Sequence, residues 1–298
     1  MPCYHPLKGW HQPFTKLITF KYANSNGIPY TVPCGQCLGC RLDKSRQWAM
    51  RCMHEASLWE DKGNNSFITL TYNDSHLPKN KSLNKKHFQL FMKRLRKKNK
   101  SNKDNPIRYY HCGEYGDLNA RPHYHAILFN KDFSDKIPIN NKKDLFTSEE
   151  LHTTWNKGFV TTAIVNFDTC AYVSRYIMKK QNGKKAITHY VNVNKETGEE
   201  TPILPEYSTM SRRPGIANKW FEQNKDEIYH KDFITSEGFK MKPPKYYDDL
   251  MYEIQPAYMA AIKKIRMENF DHTENTPERL AVKKACAQAK MSHFKRSL

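Results

Sequence analysis

His123 and His125 flank a tyrosine in the run Arg121-Pro122-His123-Tyr124-His125-Ala126-Ile127-Leu128-Phe129. The run reads as a strand over 123–129, in which successive side chains alternate faces, so both imidazoles point the same way with Cα atoms about 7 Å apart. Two imidazoles at that separation can converge on one cation. Residues 107–114 read as a partner strand, joined through Gly116-Asp117-Leu118-Asn119-Ala120 as a hairpin with a longer loop. If the hairpin folds symmetrically about 118 and 119, Glu114 lies opposite His123 and shares its face. A set of two histidines and one carboxylate leaves coordination positions open for water or substrate. A slip of one residue would turn Glu114 away.

A second group lies in Cys170-Ala171-Tyr172-Val173-Ser174-Arg175-Tyr176-Ile177-Met178-Lys179-Lys180, expected to form a helix capped by Asp168 or Thr169. Tyr172, Tyr176 and Lys179 stand at i, i+4 and i+7 and share one face. Cys170, Val173 and Ile177 form a neighbouring apolar face suited to packing on a sheet. Tyrosines so spaced serve either as packing residues or as hydroxyl nucleophiles. With a pKa of about 10, only about one free tyrosine in a thousand is phenolate at neutral pH. A nucleophilic role therefore needs a cation close by, which Lys179 or a bound metal would supply.

Cys34, Cys37 and Cys40 follow a C-x2-C-x2-C spacing, and Cys3 or Cys52 could add a fourth sulfur. The spacing suits tetrahedral Zn2+, and it also fits an iron–sulfur cluster or unligated thiols.

The elements that must position these groups can be traced along the chain. Trp48, Cys52, Ala56 and Trp59 recur at helical spacing, and 67–72 alternates as a strand. A basic helix over 84–98 carries the apolar stripe Phe88, Phe91, Met92 and Leu95. Eleven Lys/Arg and no acid lie between Lys79 and Lys103. That run, with Lys93, Arg94, Arg96 and Lys97, is either a solvated helix face or a phosphate-tracking surface. A strand over 158–165 precedes the tyrosine helix. A hairpin is expected over 187–193 and 201–204, turning at Thr197-Gly198. Arg212 and Arg213 sit in a Pro-Gly turn before a helix beginning at Ile216, as a phosphate contact or a solvated turn. Thr276 and Pro277 start the last helix. The expected organisation is a cysteine-rich element over 1–62, a core over 63–235 and a helical basic extension over 236–298.

The 298 residues carry 49 Lys+Arg against 30 Asp+Glu, a net charge of +19. Such a field attracts polyanions, nucleic acid first among them. Aromatic residues at 12% argue for a folded chain. No run of 18 apolar residues provides a membrane span. Met1-Pro2-Cys3-Tyr4-His5 lacks the apolar stretch of a secretion signal, so the eight cysteines are expected to bind metal or be buried rather than form disulfides.

Three motifs in order carry a family resemblance. His123-Tyr124-His125 resembles the metal motif of the HUH endonucleases. Phe67-Ile68-Thr69-Leu70-Thr71-Tyr72 resembles the strand motif preceding it in rolling-circle initiators, and Tyr172-Val173-Ser174-Arg175-Tyr176 the two-tyrosine motif of the bacteriophage branch. Pro33-Cys34-Gly35-Gln36-Cys37-Leu38-Gly39-Cys40-Arg41, Gly113-Glu114-Tyr115-Gly116 and Met210-Ser211-Arg212-Arg213-Pro214-Gly215-Ile216 extend the likeness to the replication initiators of gokushovirus-like microviruses. One departure is Arg175, where a lysine is common; the positive charge is kept. The resemblance implies an α+β fold with a central antiparallel sheet flanked by helices, the RRM/ferredoxin-like HUH core. It implies a rolling-circle initiator that nicks and joins single-stranded DNA at the origin. One tyrosine becomes linked to the 5′ phosphate, the freed 3′ hydroxyl primes host synthesis, and the second tyrosine resolves the circle. Mg2+ or Mn2+, origin DNA and the host replication machinery in the bacterial cytoplasm are the implied cofactors, partners and setting. The rival readings are a conjugative relaxase, a metallophosphohydrolase and a non-enzymatic zinc-containing nucleic-acid-binding protein.

Overall fold

The computed structural model describes residues 3–12, 17–22, 29–62, 65–78, 80–116, 119–139, 144–175, 180, 183–193 and 197–293. The chain forms two compact units, residues 1–44 with 252–298, and residues 45–251. In the first unit, β1 (Leu7–His11), β2 (Ile18–Thr19) and β3 (Pro29–Val32) form a small antiparallel sheet in the order β2-β1-β3. Helix α1 (Leu38–Ser57) begins in this unit and continues into the other.

The second unit follows the order β4 (Asn65–Thr71), α2 (Lys85–Lys98), β5 (Arg108–Tyr115), β6 (Pro122–Phe129), β7 (Ile137–Pro138), β8 (Phe146–Thr147), α3 (Glu149–Trp155), β9 (Val160–Ala163) and α4 (Phe167–Arg175). Then come α5 (Lys184–His189), β10 (Val191–Val193), β11 (Glu200–Pro202), β12 (Tyr207–Met210), α6 (Asn218–Lys231), β13 (Ile234–Ser236), β14 (Phe239–Met241) and α7 (Lys245–Ile254), the last of which ends past the unit's limit at Met251. Seven strands make one antiparallel sheet in the order β12-β5-β6-β4-β9-β8-β7, flanked by helices. Helices α8 (Pro256–Glu268) and α9 (Pro277–His293) return to the first unit. The α+β class with a helical C-terminal part is as expected. No described helix is long and apolar enough to cross a membrane.

The expected helix over 84–98 forms with Asn84 as its cap, the side chain accepting from Lys86 N–H. Its stripe Phe88, Phe91, Met92 and Leu95 is buried with Ile68, Leu70, Tyr124 and Trp155 on one face of the sheet. Each such side chain contributes about 1.5–3 kcal/mol on burial. At the entry to β9, Gly158 adopts φ +143, and a Cβ there would lie 2.2 Å from Asn73 N. Only glycine lets that backbone approach β4.

Two expectations are corrected locally. The hairpin β10–β11 forms, but 187–189 belong to α5 rather than to its first strand. The β-forming Ile187 and Thr188 are overridden by turn bonds from Ala186 N to Gly183 O and Tyr190 N to Ala186 O, with Tyr190 buried and donating its hydroxyl to Glu206. The tyrosine helix is capped by Asn166 rather than Asp168 or Thr169. Asn166 Oδ1 accepts from Thr169 N–H at 2.8 Å, and Thr169 Oγ1 accepts from Asn166 N–H at 2.9 Å.

Two imidazoles are kept without charge, His54 half-buried and His111 fully buried. His54 stacks on Trp220 at 3.5 Å, and burial holds it down at about 3. His111 stacks on Phe88 at 3.4 Å, and burial, with the neighbouring His125 charge, pushes it well below the ordinary 6.5. The unfolded chain takes up these protons first. Stability from both groups is therefore complete above about pH 6.5 and is lost progressively as pH falls below it. The slope approaches about 1.4 kcal/mol per pH unit for each group. Urea midpoints measured between pH 7.5 and 4 should fall on acidification, and His54→Phe should flatten that dependence.

Candidate active site

Strands β5 and β6 pair from Arg108 opposite Phe129 to Tyr115 opposite Pro122, which sets Glu114 against His123 and Cys112 against His125. Pro122 opens its strand, a position where its missing N–H is tolerated. The hairpin closes with Gly116 N–H donating to Arg121 O at 3.0 Å. Arg121 is itself tied down, its guanidinium donating to Tyr72 O at 3.1 and 2.9 Å and to Asp74 at 2.7 Å.

The symmetric register brings three side chains to one point. His123 Nε2 lies 2.6 Å and His125 Nε2 3.2 Å from the same Glu114 Oε1. The two rings stand edge to face, 4.9 Å between centroids. Ligand atoms of Glu114, His123 and His125 all lie within 4.8 Å of one another. Glu114 is 2% exposed, His125 5% and His123 16%, so solvent reaches the cluster past His123. Burial opposes ionisation of Glu114. Hydrogen bonds and charge from the two imidazoles outweigh it and bring its pKa below the usual range.

Each imidazole is aimed by its other nitrogen. His123 Nδ1 lies 3.0 Å from Arg121 O, a carbonyl that can only accept, so Nδ1 donates there and Nε2 is the nitrogen turned to Glu114. His125 Nδ1 lies 3.0 Å from Thr69 Oγ1, where β4 pairs Thr69 with His125. Thr69 had no assigned role in the sequence. Period-two spacing puts it on one face with Phe67 and Thr71, but its partner depends on the pairing of β4 with β6, which spacing does not give. Removing such an orienting contact costs about 10–100-fold in metal affinity or activity. Were the cluster to hold Mn2+, Thr69→Val would weaken that binding by the same range in calorimetric titration, with thermal stability little changed.

Tyr124, between the histidines, faces the opposite side and locks the strand there. Its hydroxyl donates to Asn84 O at 3.0 Å and accepts from Asn84 N–H at 2.9 Å. The Tyr72 hydroxyl therefore donates to it at 2.7 Å and accepts from His87 Nδ1 at 2.6 Å.

Helix α4 brings Tyr172 to the histidine face. Cys170 and Val173 are buried, as the apolar-face expectation requires, and Ser174 is buried with them, while Tyr172 is half-buried and Arg175 exposed. The Tyr172 ring stands edge-on to His125 at 5.2 Å and to Phe67 at 6.0 Å. Tyr176, Ile177 and Lys179 lie outside the described residues.

The basic groups separate. Lys93 and Lys97 are exposed on α2, whose buried stripe packs on the Tyr124 face, the side of the sheet away from His123 and His125. Arg94 donates to Thr154 O and Trp155 O, and Arg96 donates twice to Ile107 O, so both tie α2 to its neighbours. Arg212 and Arg213 are exposed on a turn fixed from within. Arg108 donates to Pro214 O, Gly215 O and Glu55, Arg51 donates to Ile216 O, and Glu55 accepts from Ala217 N–H. Among the cysteines, Cys3, Cys34, Cys37 and Cys40 bring their sulfurs together. Cys52 is instead fully buried beside Cys170 in the second unit.

The family model of the replication-associated protein ORF2/G2P matches residues 65–181, the stretch that holds every strand and helix of this site. No solved structure matches the chain significantly. The replication-associated protein VP4 of Bdellovibrio phage phiMH2K is 29% identical over 285 residues, covering 92% of this chain and 85% of that protein. The replication-associated protein ORF2 of Spiroplasma virus 4 is 33% identical over 276 residues, covering 84% of this chain and 80% of that protein. With that identity covering more than two thirds of both chains, this chain belongs to the family of microvirus replication-associated proteins.

Proposed function

We propose that the chain initiates rolling-circle replication by nicking and rejoining single-stranded DNA through a covalent phosphotyrosine intermediate. The observation that carries this reading is the convergence of two imidazole Nε2 atoms on one carboxylate oxygen, with the Tyr172 ring packed against His125. Two nitrogens and a carboxylate suit a divalent ion of the first transition row, Mn2+ before Mg2+, which prefers oxygen alone. Held by His123, His125 and Glu114, such an ion would polarise the scissile phosphate.

The protein's own groups do the rest. A tyrosine oxygen bonds to phosphorus, the bond from phosphorus to the 3′ oxygen breaks, the phenol gives up its proton and the 3′ oxygen takes one. The phosphodiester is exchanged for another ester of similar energy, so the reverse reaction rejoins strands without an energy source. The second tyrosine, Tyr176, offers a fresh hydroxyl while the first is occupied. Net positive charge gathers the strand, and exposed Arg175, Arg212 and Arg213 supply contacts to its phosphates.

The test incubates the full chain and Mn2+ with single-stranded fragments tiling the genome that encodes it, followed by a denaturing gel. One fragment should give a protein band shifted by covalent DNA. Absence of such a band on every fragment refutes the nickase and leaves a DNA-binding protein without this chemistry.

A further inference from the structure

The cysteines outside the catalytic reading carry a separate inference. Sulfurs of Cys3, Cys34, Cys37 and Cys40 all lie within 4.8 Å of one another, and Cys37 Sγ is 3.8 Å from Cys3 Sγ. A regular tetrahedron with Zn–S bonds of about 2.3 Å has an edge of about 3.8 Å. Two disulfides would draw the sulfurs into pairs at about 2.05 Å, and an iron–sulfur cluster would spread its cysteines over separate irons. The arrangement has the size of a single-ion site.

The backbone is shaped to the same end. Gly35 adopts φ +72, turning the chain between Cys34 and Cys37 so that Cys37 N–H points at Cys34 Sγ, 3.3 Å away. Cys34 N–H points at Cys3 Sγ at 3.2 Å, and Tyr4 N–H at Cys37 Sγ at 3.3 Å. Cys40 sits in the first turn of α1, where helix N–H groups favour negative charge. These donors surround the sulfurs with positive dipole, as a cluster of thiolates around a cation requires.

A crosslink would also serve the unit. Among its described residues, Tyr4, Met259, Ile262 and Leu280 are the large apolar side chains that are buried. Its sheet has strands of five, two and four residues. A metal held by four sulfurs would add a crosslink to this small set of buried side chains. A link from Cys3 to the segment entering α1 fixes Tyr4 and His5, and His5 Nε2 accepts from Lys284 Nζ of α9 at 3.1 Å.

We propose that Cys3, Cys34, Cys37 and Cys40 bind one structural zinc ion that holds the first unit together. The test measures metal content of the full chain purified under reducing conditions. One zinc per chain is expected, retained in Cys52→Ser, Cys286→Ser and His123→Ala/His125→Ala, and reduced to background in Cys34→Ser/Cys37→Ser. Cobalt exchanged into the wild type should show the intense thiolate-to-metal absorption of a tetrahedral four-sulfur site. Should the double cysteine variant fail to fold, titrating the wild type with a mercurial decides, since zinc should leave as four thiols react. Absence of zinc together with no thiolate–cobalt absorption, or an iron chromophore in the isolated protein, overturns the proposal. Retention of zinc in the His123→Ala/His125→Ala variant separates this site from the catalytic reading, which can fail on its own.

Discussion

His123→Ala/His125→Ala is expected to lose Mn2+ binding and to lower strand cleavage by about a thousandfold or more. Two of the three converging donors disappear, and with them the charge that would stabilise the phosphorane-like transition state. Loss of several kcal/mol of such stabilisation corresponds to about three powers of ten. The substitution also takes from Glu114, which is 2% exposed, the hydrogen bonds of those two rings. A buried carboxylate that loses such bonds destabilises the fold by itself. Adding Glu114→Gln to the double variant removes that charge. Stability should then recover in large part while cleavage stays at background, which separates loss of the ion from loss of the fold. Cleavage and Mn2+ titration of the three forms check this, and wild-type cleavage by the histidine variant would count against the site.

The second large effect concerns the proposed nucleophiles. Tyr172→Phe/Tyr176→Phe should give no covalent product, with single-strand binding and Mn2+ affinity close to wild type. The Tyr172 ring keeps its edge-on contacts with His125 and Phe67 when only the hydroxyl is removed, so the metal ligands are not disturbed. Each single variant should retain partial nicking but fail to complete a closed circle, because one hydroxyl must be regenerated while the other cuts. The two changes are therefore strongly non-additive. A denaturing gel for nicking and an agarose assay for circle closure read the two activities apart.

Much of the site was legible in the sequence for a geometric reason. Period two puts His123 and His125 on one face, and a loop symmetric about 118 and 119 puts Glu114 opposite His123, as the register shows. Those are local rules of a hairpin. Contacts between elements distant in sequence were not legible. Thr69 meets His125 only because β4 lies beside β6, a neighbour relation that no local spacing encodes. Arg94 and Arg96 read as members of a basic run, yet their guanidiniums reach carbonyls at Trp155 and Ile107. Charge density alone cannot distinguish a solvated arginine from one closing a loop. Cys3 and Cys52 were equal candidates for the fourth sulfur by type. The fold separates them, since Cys52 sits in the buried face of α1 beside Cys170.

The covalent link itself is the most direct measurement. The chain is reacted with its origin strand and Mn2+, the DNA is digested to a single nucleotide, and peptides are read by mass spectrometry. A nucleotide joined through its 5′ phosphate to Tyr172 or Tyr176 is the expected result. A nucleotide on any other side chain, or cleaved DNA with no modified peptide, contradicts the account.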